Sequence, residues 1–140
     1  MSITNKSIEV VAQTIYGEAR GEYYRENGGL PSLIAIANVI CNRRNKAGEK
    51  LIENICLEPK QFSCWNFADP NYKILQNISK KDPIYQICLG VAENVVLGNW
   101  PDITKGSTHY YSTCLAKAPY WALGENINIK IGNHVFFEIN

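Results

Sequence analysis

Two carboxylates stand four residues apart in the segment Tyr16-Gly17-Glu18-Ala19-Arg20-Gly21-Glu22. On a helix that spacing puts both on one face, with Cβ atoms about 5–6 Å from each other. A close carboxyl pair can do acid–base work, one member giving a proton while the other holds charge or takes a proton back. Glu18 lies beside the apolar stripe that runs through Ile15 and Ala19, so it is expected to be partly desolvated, a state that favours the protonated acid. The structural alternative is a solvated pair matched to Arg20, Arg25 or nearby lysines.

Further along come Gln61-Phe62-Ser63-Cys64-Trp65-Asn66, Thr108-His109-Tyr110-Tyr111 and Pro119-Tyr120-Trp121. Each sets aromatic rings beside amides or hydroxyls. Aromatic faces pack on the C–H faces of sugar rings while amides and hydroxyls satisfy sugar hydroxyls, so a cleft built this way suits a carbohydrate. Some of these rings must also fill the core, and Phe62, Phe136 and Phe137 are read as core. Other chemistries find less support. His109 and His134 form no H-E-x-x-H or comparable spacing, so no metal is assigned. A Cys64 or Cys114 thiolate activated by His109 lacks a local signature. Gly28-Gly29 lacks the lysine and hydroxyl residue of a phosphate loop, and no cofactor is expected.

The elements that must position these groups are mostly helical. Ser7 is a candidate cap for a first helix with Ile8, Val11, Ala12, Ile15, Tyr16 and Ala19 at helical spacing, ending near Gly21. The polar stretch from Glu22 to Pro31 reads as a surface loop that could border a cleft. Pro31 opens a helix apolar on nearly every face, Leu33 to Ile40, with Arg43, Arg44 and Lys46 at its C-terminal end. A short helix over Leu51 to Leu57 stops before Pro59, and Asp82-Pro83 opens another that ends at Gly98. After Gly98 the pattern turns to strands, with Thr108 to Tyr111, the alternating Ile127, Ile129 and Ile131, and a turn at Gly132-Asn133 before Val135-Phe136-Phe137. The fold class expected is α+β, predominantly helical, with a small β element near the C-terminus.

The 140 residues fit a single domain, 1–140, and 46% hydrophobic with 19% charged residues is an ordinary globular balance. A formal charge of +1 provides no global field toward nucleic acid or an anionic membrane. The longest apolar run, Leu33 to Cys41, is about half of a bilayer span, so no membrane insertion is expected. Five cysteines without close pairing argue for reduced, mostly buried thiols. The first residues, Met1 to Ser7, contain no apolar core of an export signal, which predicts synthesis in the cytoplasm.

Five segments, in order, carry a family resemblance: Ile15 to Glu22, Ala35 to Arg43, Gln61-Phe62-Ser63, His109-Tyr110-Tyr111 and Ile131 to Phe136. Together the chain resembles the bacterial cell-wall hydrolases typified by the SleB spore-cortex-lytic enzymes, over almost its whole length. That resemblance implies a lysozyme-like catalytic domain acting on peptidoglycan glycan strands, at the β-1,4 bond between N-acetylmuramic acid and N-acetylglucosamine, and a monomer is the default expectation for the chain. It also implies that Glu18 is the catalytic acid, with lytic transglycosylation to a 1,6-anhydro end as the favoured route. Hydrolysis with Glu22 as second carboxylate, or a glycan-binding domain without catalysis, remain the alternatives. Tyr110 is expected to help stabilise charge at the reacting sugar. Gln61, Ser63, Trp65, His109, Tyr111 and Trp121 are the expected substrate contacts, and Arg20 and Arg43 are expected to brace the site through ion pairs. The loop from Tyr23 to Pro31 is several residues longer than the family pattern leads one to expect. A catalytic domain with neither export signal nor separate wall-binding segment suggests an endolysin-like context.

Overall fold

A computed structural model describes residues 3–48, 50–59 and 61–140. Met1 and Ser2, which begin the stretch inspected for an export signal, lie outside the described residues. Five α-helices precede a three-stranded antiparallel sheet among the described residues: α1 Asn5–Tyr23, α2 Leu30–Ala47, α3 Ile52–Leu57, α4 Pro70–Gln76, α5 Pro83–Val96, then β1 His109–Ser112, β2 Ile129–Ile131 and β3 His134–Phe137. The expected α+β, predominantly helical class is what forms. No helix among the described residues is long and apolar enough to cross a membrane.

The cap of helix α1 lies three residues before the position expected for it. Thr4 is the N-cap, its hydroxyl accepting from the Ser7 N–H, while the Ser7 hydroxyl accepts from the Thr4 N–H. Ser7 is thus the third residue of a capping box rather than the cap itself. Its hydroxyl also donates to Glu53 Oε1 at 3.0 Å, which ties α3 to the start of α1. The helix then continues through Gly21 to Tyr23, two residues past the expected end.

The expectation of a helix buried through the middle holds for α2, where Leu33, Ala35, Ile36, Ala37, Val39 and Ile40 have no exposed surface. Val11, Ile15 and Ala19 of α1 and Cys88, Val91 and Ala92 of α5 close around it. Burial of these side chains is what holds the helices together, at about 1.5–3 kcal/mol for each large one. Asn38, the polar break in that run, is buried and accepts from the Ile103 N–H through Oδ1 (3.1 Å), which anchors the loop leading into the sheet. The five cysteines are all free; Cys56, Cys64 and Cys88 are buried, and Cys114 is exposed.

Strand β3 is the middle of the sheet, with β1 and β2 on either side. The pairing sets Tyr110 opposite Phe136 and Ser112 opposite His134. Side chains alternate along a strand, so Tyr110, Ser112, His134 and Phe136 share one face and His109, Tyr111, Val135 and Phe137 the other. Phe136 belongs to the main core and thereby seats the Tyr110 face against the helices. On the opposite face Trp121 packs on His109, Tyr111 and Phe137 with ring centroids 5.1–6.0 Å apart.

Candidate active site

Between α1 and the sheet runs a groove of about 380 Å³ whose lining includes Glu18, Gln61, Ser63, Asn71, Tyr110 and Trp121. Glu18 sits on the groove side of α1, half-buried. Three donors converge on its carboxyl group. The Tyr110 hydroxyl donates to Oε1, while the Cys64 backbone N–H and the Ser63 hydroxyl donate to Oε2 at 3.1 and 3.3 Å. Glu18 is the sole carboxylate lining the groove among the described residues.

The local sequence explains why those donors are in reach. Ser63–Trp65 form a single 3-10 turn, which presents the Cys64 N–H toward α1. Gly17 lets that turn come close: a Cβ at position 17 would lie 2.6 Å from Cys64 Cβ, 2.8 Å from its Sγ and 3.2 Å from Leu75 Cδ2. The glycine before Glu18 is therefore a packing requirement of the donor cradle. Gly17→Ala is expected to cost about 1–3 kcal/mol by pushing the turn away and to slow the reaction further by lengthening the Cys64 bond to Glu18. Gly21→Ala is the control, since nothing lies within 4 Å of a Cβ there, and it should raise the melting temperature slightly. Thermal melts of the two variants check this, and equal melting temperatures would contradict it.

Burial and the neighbouring Glu18 push the Tyr110 hydroxyl well above the usual tyrosine range, so it stays protonated and keeps donating at any physiological pH. The Cys64 thiol is likewise pushed far up by burial and by Glu18. A thiol that remains protonated is no nucleophile, and Cys64 serves the site through its backbone instead. Among the described residues no three His, Cys, Asp or Glu side chains gather in a way that could hold a metal ion.

Of the expected substrate contacts, Gln61, Ser63, Tyr111 and Trp121 line the groove, together with Glu18 and Tyr110. Three of the expected site residues lie outside the groove lining. Trp65 is turned away, its indole N–H donating to Thr14 Oγ1 at 2.9 Å, because the 3-10 turn that offers the Cys64 N–H to Glu18 carries the next side chain to the other side of α1. His109 points to the opposite face of the sheet from Tyr110 and lines a neighbouring cavity. Glu22 lies one helical turn beyond Glu18, outside the groove lining, and is buried. Its Oε1 accepts from the Asn133 N–H at 2.6 Å and its Oε2 pairs with Arg25 Nε at 2.7 Å.

The loop after α1 is shaped by the same clasp rather than by the groove. A Cβ on Gly28 would meet the Glu22 carbonyl oxygen at 2.1 Å, and Gly132, at φ 59°, closes on Glu22 Oε1 and Ser32 Oγ. No residue of this loop lines the groove. Neither Arg20 nor Arg43 makes an ion pair among the described residues. Arg20 lies over the Tyr16 ring, and Arg43 donates from Nε to the Thr108 carbonyl at 2.6 Å and from Nη1 to Gln61 Oε1 at 3.4 Å while stacking over Phe62.

Sequence reasoning did not place Asn71, Ser112 or His134 in the groove. Asn71 follows Asp69-Pro70, the same cap-and-proline signature that marked α5, so the signal was present. His134 follows from pairing opposite Ser112 on the Tyr110 face. Burial lowers its pKa below the usual 6.5, against the opposing pull of Glu22 and Glu18. His109 is lowered too, by burial and by Arg43 and Lys46. A folded-state pKa below the unfolded one means the unfolded chain takes up the proton first as pH falls. The stability these two imidazoles contribute is complete above the unfolded value and is lost as pH drops through it toward the folded value. Melting temperature is expected to fall between about pH 7 and 5, and less steeply in His134→Asn. A flat profile in the wild-type chain would contradict this.

With this geometry in place, comparisons supply the family. A model of the cell wall hydrolase family matches residues 30–137, and the chain belongs to that family. Glu18 precedes the matched stretch. The chain is 28% identical, over 136 residues and 96% of its length, to the spore cortex-lytic enzyme of Bacillus subtilis (strain 168), and spans 38% of that relative. Among solved structures it is similar to the catalytic domain of the Bacillus cereus SleB protein, with TM-score 0.69 and 22% identity, covering 98% of this chain and 93% of the other. The catalytic domain of the germination-specific lytic transglycosylase SleB from Bacillus anthracis gives TM-score 0.68 and 22% identity, covering 98% of both chains.

Proposed function

We propose that the chain cleaves peptidoglycan glycan strands at the β-1,4 bond between N-acetylmuramic acid and N-acetylglucosamine, by lytic transglycosylation at Glu18. The observation that carries this reading is a lone carboxyl group in an aromatic and amide-lined groove, met by three hydrogen-bond donors. Family membership and the names of the Bacillus relatives support the substrate class.

In the first step protonated Glu18 gives its proton to the glycosidic oxygen, the bond from that oxygen to the muramoyl anomeric carbon breaks, and the N-acetylglucosamine end leaves as an alcohol. The charge left on Glu18 is carried by Tyr110, Ser63 and the Cys64 N–H, preorganised donors that need no rearrangement as the charge develops. In the second step the carboxylate takes the proton of the muramoyl 6-hydroxyl, whose oxygen bonds to its own anomeric carbon and closes the 1,6-anhydro ring. Glu18 returns to its protonated form. The nucleophile is intramolecular, so no second carboxylate is required to activate water. Hydrolysis through Glu22 loses support because both Glu22 oxygens are held by Asn133 and Arg25.

The test is to incubate the purified chain with peptidoglycan and weigh the released muropeptides by mass spectrometry. Anhydro-ended fragments are expected. Reducing ends, heavier by one water, would refute transglycosylation, and no release at all would leave only a glycan-binding domain.

A further inference from the structure

A second cavity, of about 280 Å³, adjoins the groove and shares Arg43 and Gln61 with it. Its wall is mostly apolar, from Ala47, Ile55 and Ile139, with His109 at one side. Two cations and one carboxylate, Glu58, also line it. Lys46 is already matched, 3.2 Å from Glu138 and 2.6 Å from the Asn140 side-chain oxygen. Arg43 is not. Its Nη2 makes no hydrogen bond and no carboxylate lies within ion-pair distance among the described residues, although burial lowers its pKa and disfavours its charge. A half-buried guanidinium shared by two cavities, with Glu18 and Glu58 nearby but no carboxylate in ion-pair contact among the described residues, keeps a free donor edge for a carboxylate.

The identity of that anion follows from substrate chemistry and rests on the glycan reading above. A muramoyl residue next to Glu18 carries a lactyl ether on O3, ending either in a free carboxyl group or in a peptide that itself bears carboxylates. This branch projects from the reacting sugar, and the second cavity meets the groove at Arg43 and Gln61. We propose that this second cavity holds the carboxylate-bearing O3 branch of the muramoyl residue, with Arg43 as its counter-ion. The apolar wall then covers the lactyl or alanyl methyl groups, and the cavity reads whether a muramoyl residue carries an acidic branch.

The chain has only two histidines, one in each cavity: His134 lines the groove and His109 the second cavity. Their imidazole signals in a proton–carbon NMR titration report the two cavities separately. Trp121 touches the His109 ring (5.1 Å), so the readout is the pH midpoint of His109, which responds to charge, rather than its chemical shift. The probes are N-acetylglucosamine, N-acetylmuramic acid, N-acetylmuramoyl-L-alanyl-D-glutamate and the neutral diamide of the last.

N-acetylmuramoyl-L-alanyl-D-glutamate is expected to raise the His109 midpoint by on the order of half a pH unit, and its diamide to leave the midpoint in place. A rise with N-acetylmuramic acid alone would assign the free lactyl carboxyl as the anion, a rise with the dipeptide alone the peptide carboxylate, and equal rises would show that the cavity takes either. N-acetylglucosamine should perturb His134 and leave the His109 midpoint unmoved. In Ala47→Glu, which sets a like charge on the exposed rim of the second cavity, the rise at His109 should vanish while the His134 response persists. Perturbation of His134 with an unmoved His109 midpoint for both acids would overturn this proposal and leave the glycan reading intact. No response of either imidazole to any of the four probes would sink both.

Discussion

Glu18→Gln is expected to abolish the release of muropeptides while leaving the fold and glycan binding in place. The amide keeps the size of the carboxyl group, and its hydrogen bonds can be remade without strain. With its oxygen turned to the Cys64 N–H and the Ser63 hydroxyl, its NH₂ faces the Tyr110 hydroxyl, which can rotate to accept. What the amide cannot do is give a proton to a glycosidic oxygen or take one from the muramoyl 6-hydroxyl. General acid–base catalysis contributes about 10²–10⁴-fold per proton transfer, and on the proposed route both transfers pass through one group. A fall of at least about 10³-fold in release rate is therefore expected, with a dissociation constant for glycan fragments within a few-fold of wild type. Wall lysis at a comparable rate in the variant would falsify the role assigned to Glu18.

Where the sequence pattern was long, it was sufficient to place the elements. The stripe of α1, the all-round apolar α2 and the Asp82-Pro83 start of α5 each rest on many residues or on a paired cap signal, and all three helices form. Glu18, Tyr110, Gln61 and Ser63 were legible as chemistry because carboxyl, hydroxyl and amide groups stood out against that pattern, and the structure brings them to one groove.

Short irregular segments were not legible in the same way. A 3-10 turn of three residues has no period to read, so Trp65 looked like its neighbours Gln61 and Ser63 although its ring is carried to Thr14 on the far side of α1. His109 and Tyr110 are adjacent in a strand and face opposite ways, but alternation does not by itself tell which residues reach the groove, since Tyr111, on the His109 face, lines it as well. The need for glycine before Glu18 comes from a contact with Cys64, far away in the chain, which no local pattern encodes.

Glu22 is the case in which the spacing is as expected and the position is not in the groove. It does lie on the same helix as Glu18, and α1 remains helical through both. One turn of helix advances about 5.4 Å, and that distance takes Glu22 past the end of the groove to the turn between β2 and β3. There it holds the Asn133 N–H, 111 residues away in sequence, and Arg25 of the following loop. Glu22→Ala leaves that N–H without its acceptor and Arg25 without its carboxylate, in a place where Gly132 is packed on the same carboxyl group. The expected loss is about 2–4 kcal/mol, or a melting temperature lower by on the order of 10 °C for a chain of this size. Release rate per folded molecule, measured well below the new midpoint, is expected to stay within a few-fold of wild type, and anhydro ends to remain the product. A retaining hydrolase using Glu22 as its nucleophile predicts the reverse, a large loss of rate at an unchanged melting temperature. The two measurements on this one variant therefore decide whether the second carboxylate of the helix takes part in the reaction or fastens the sheet to it.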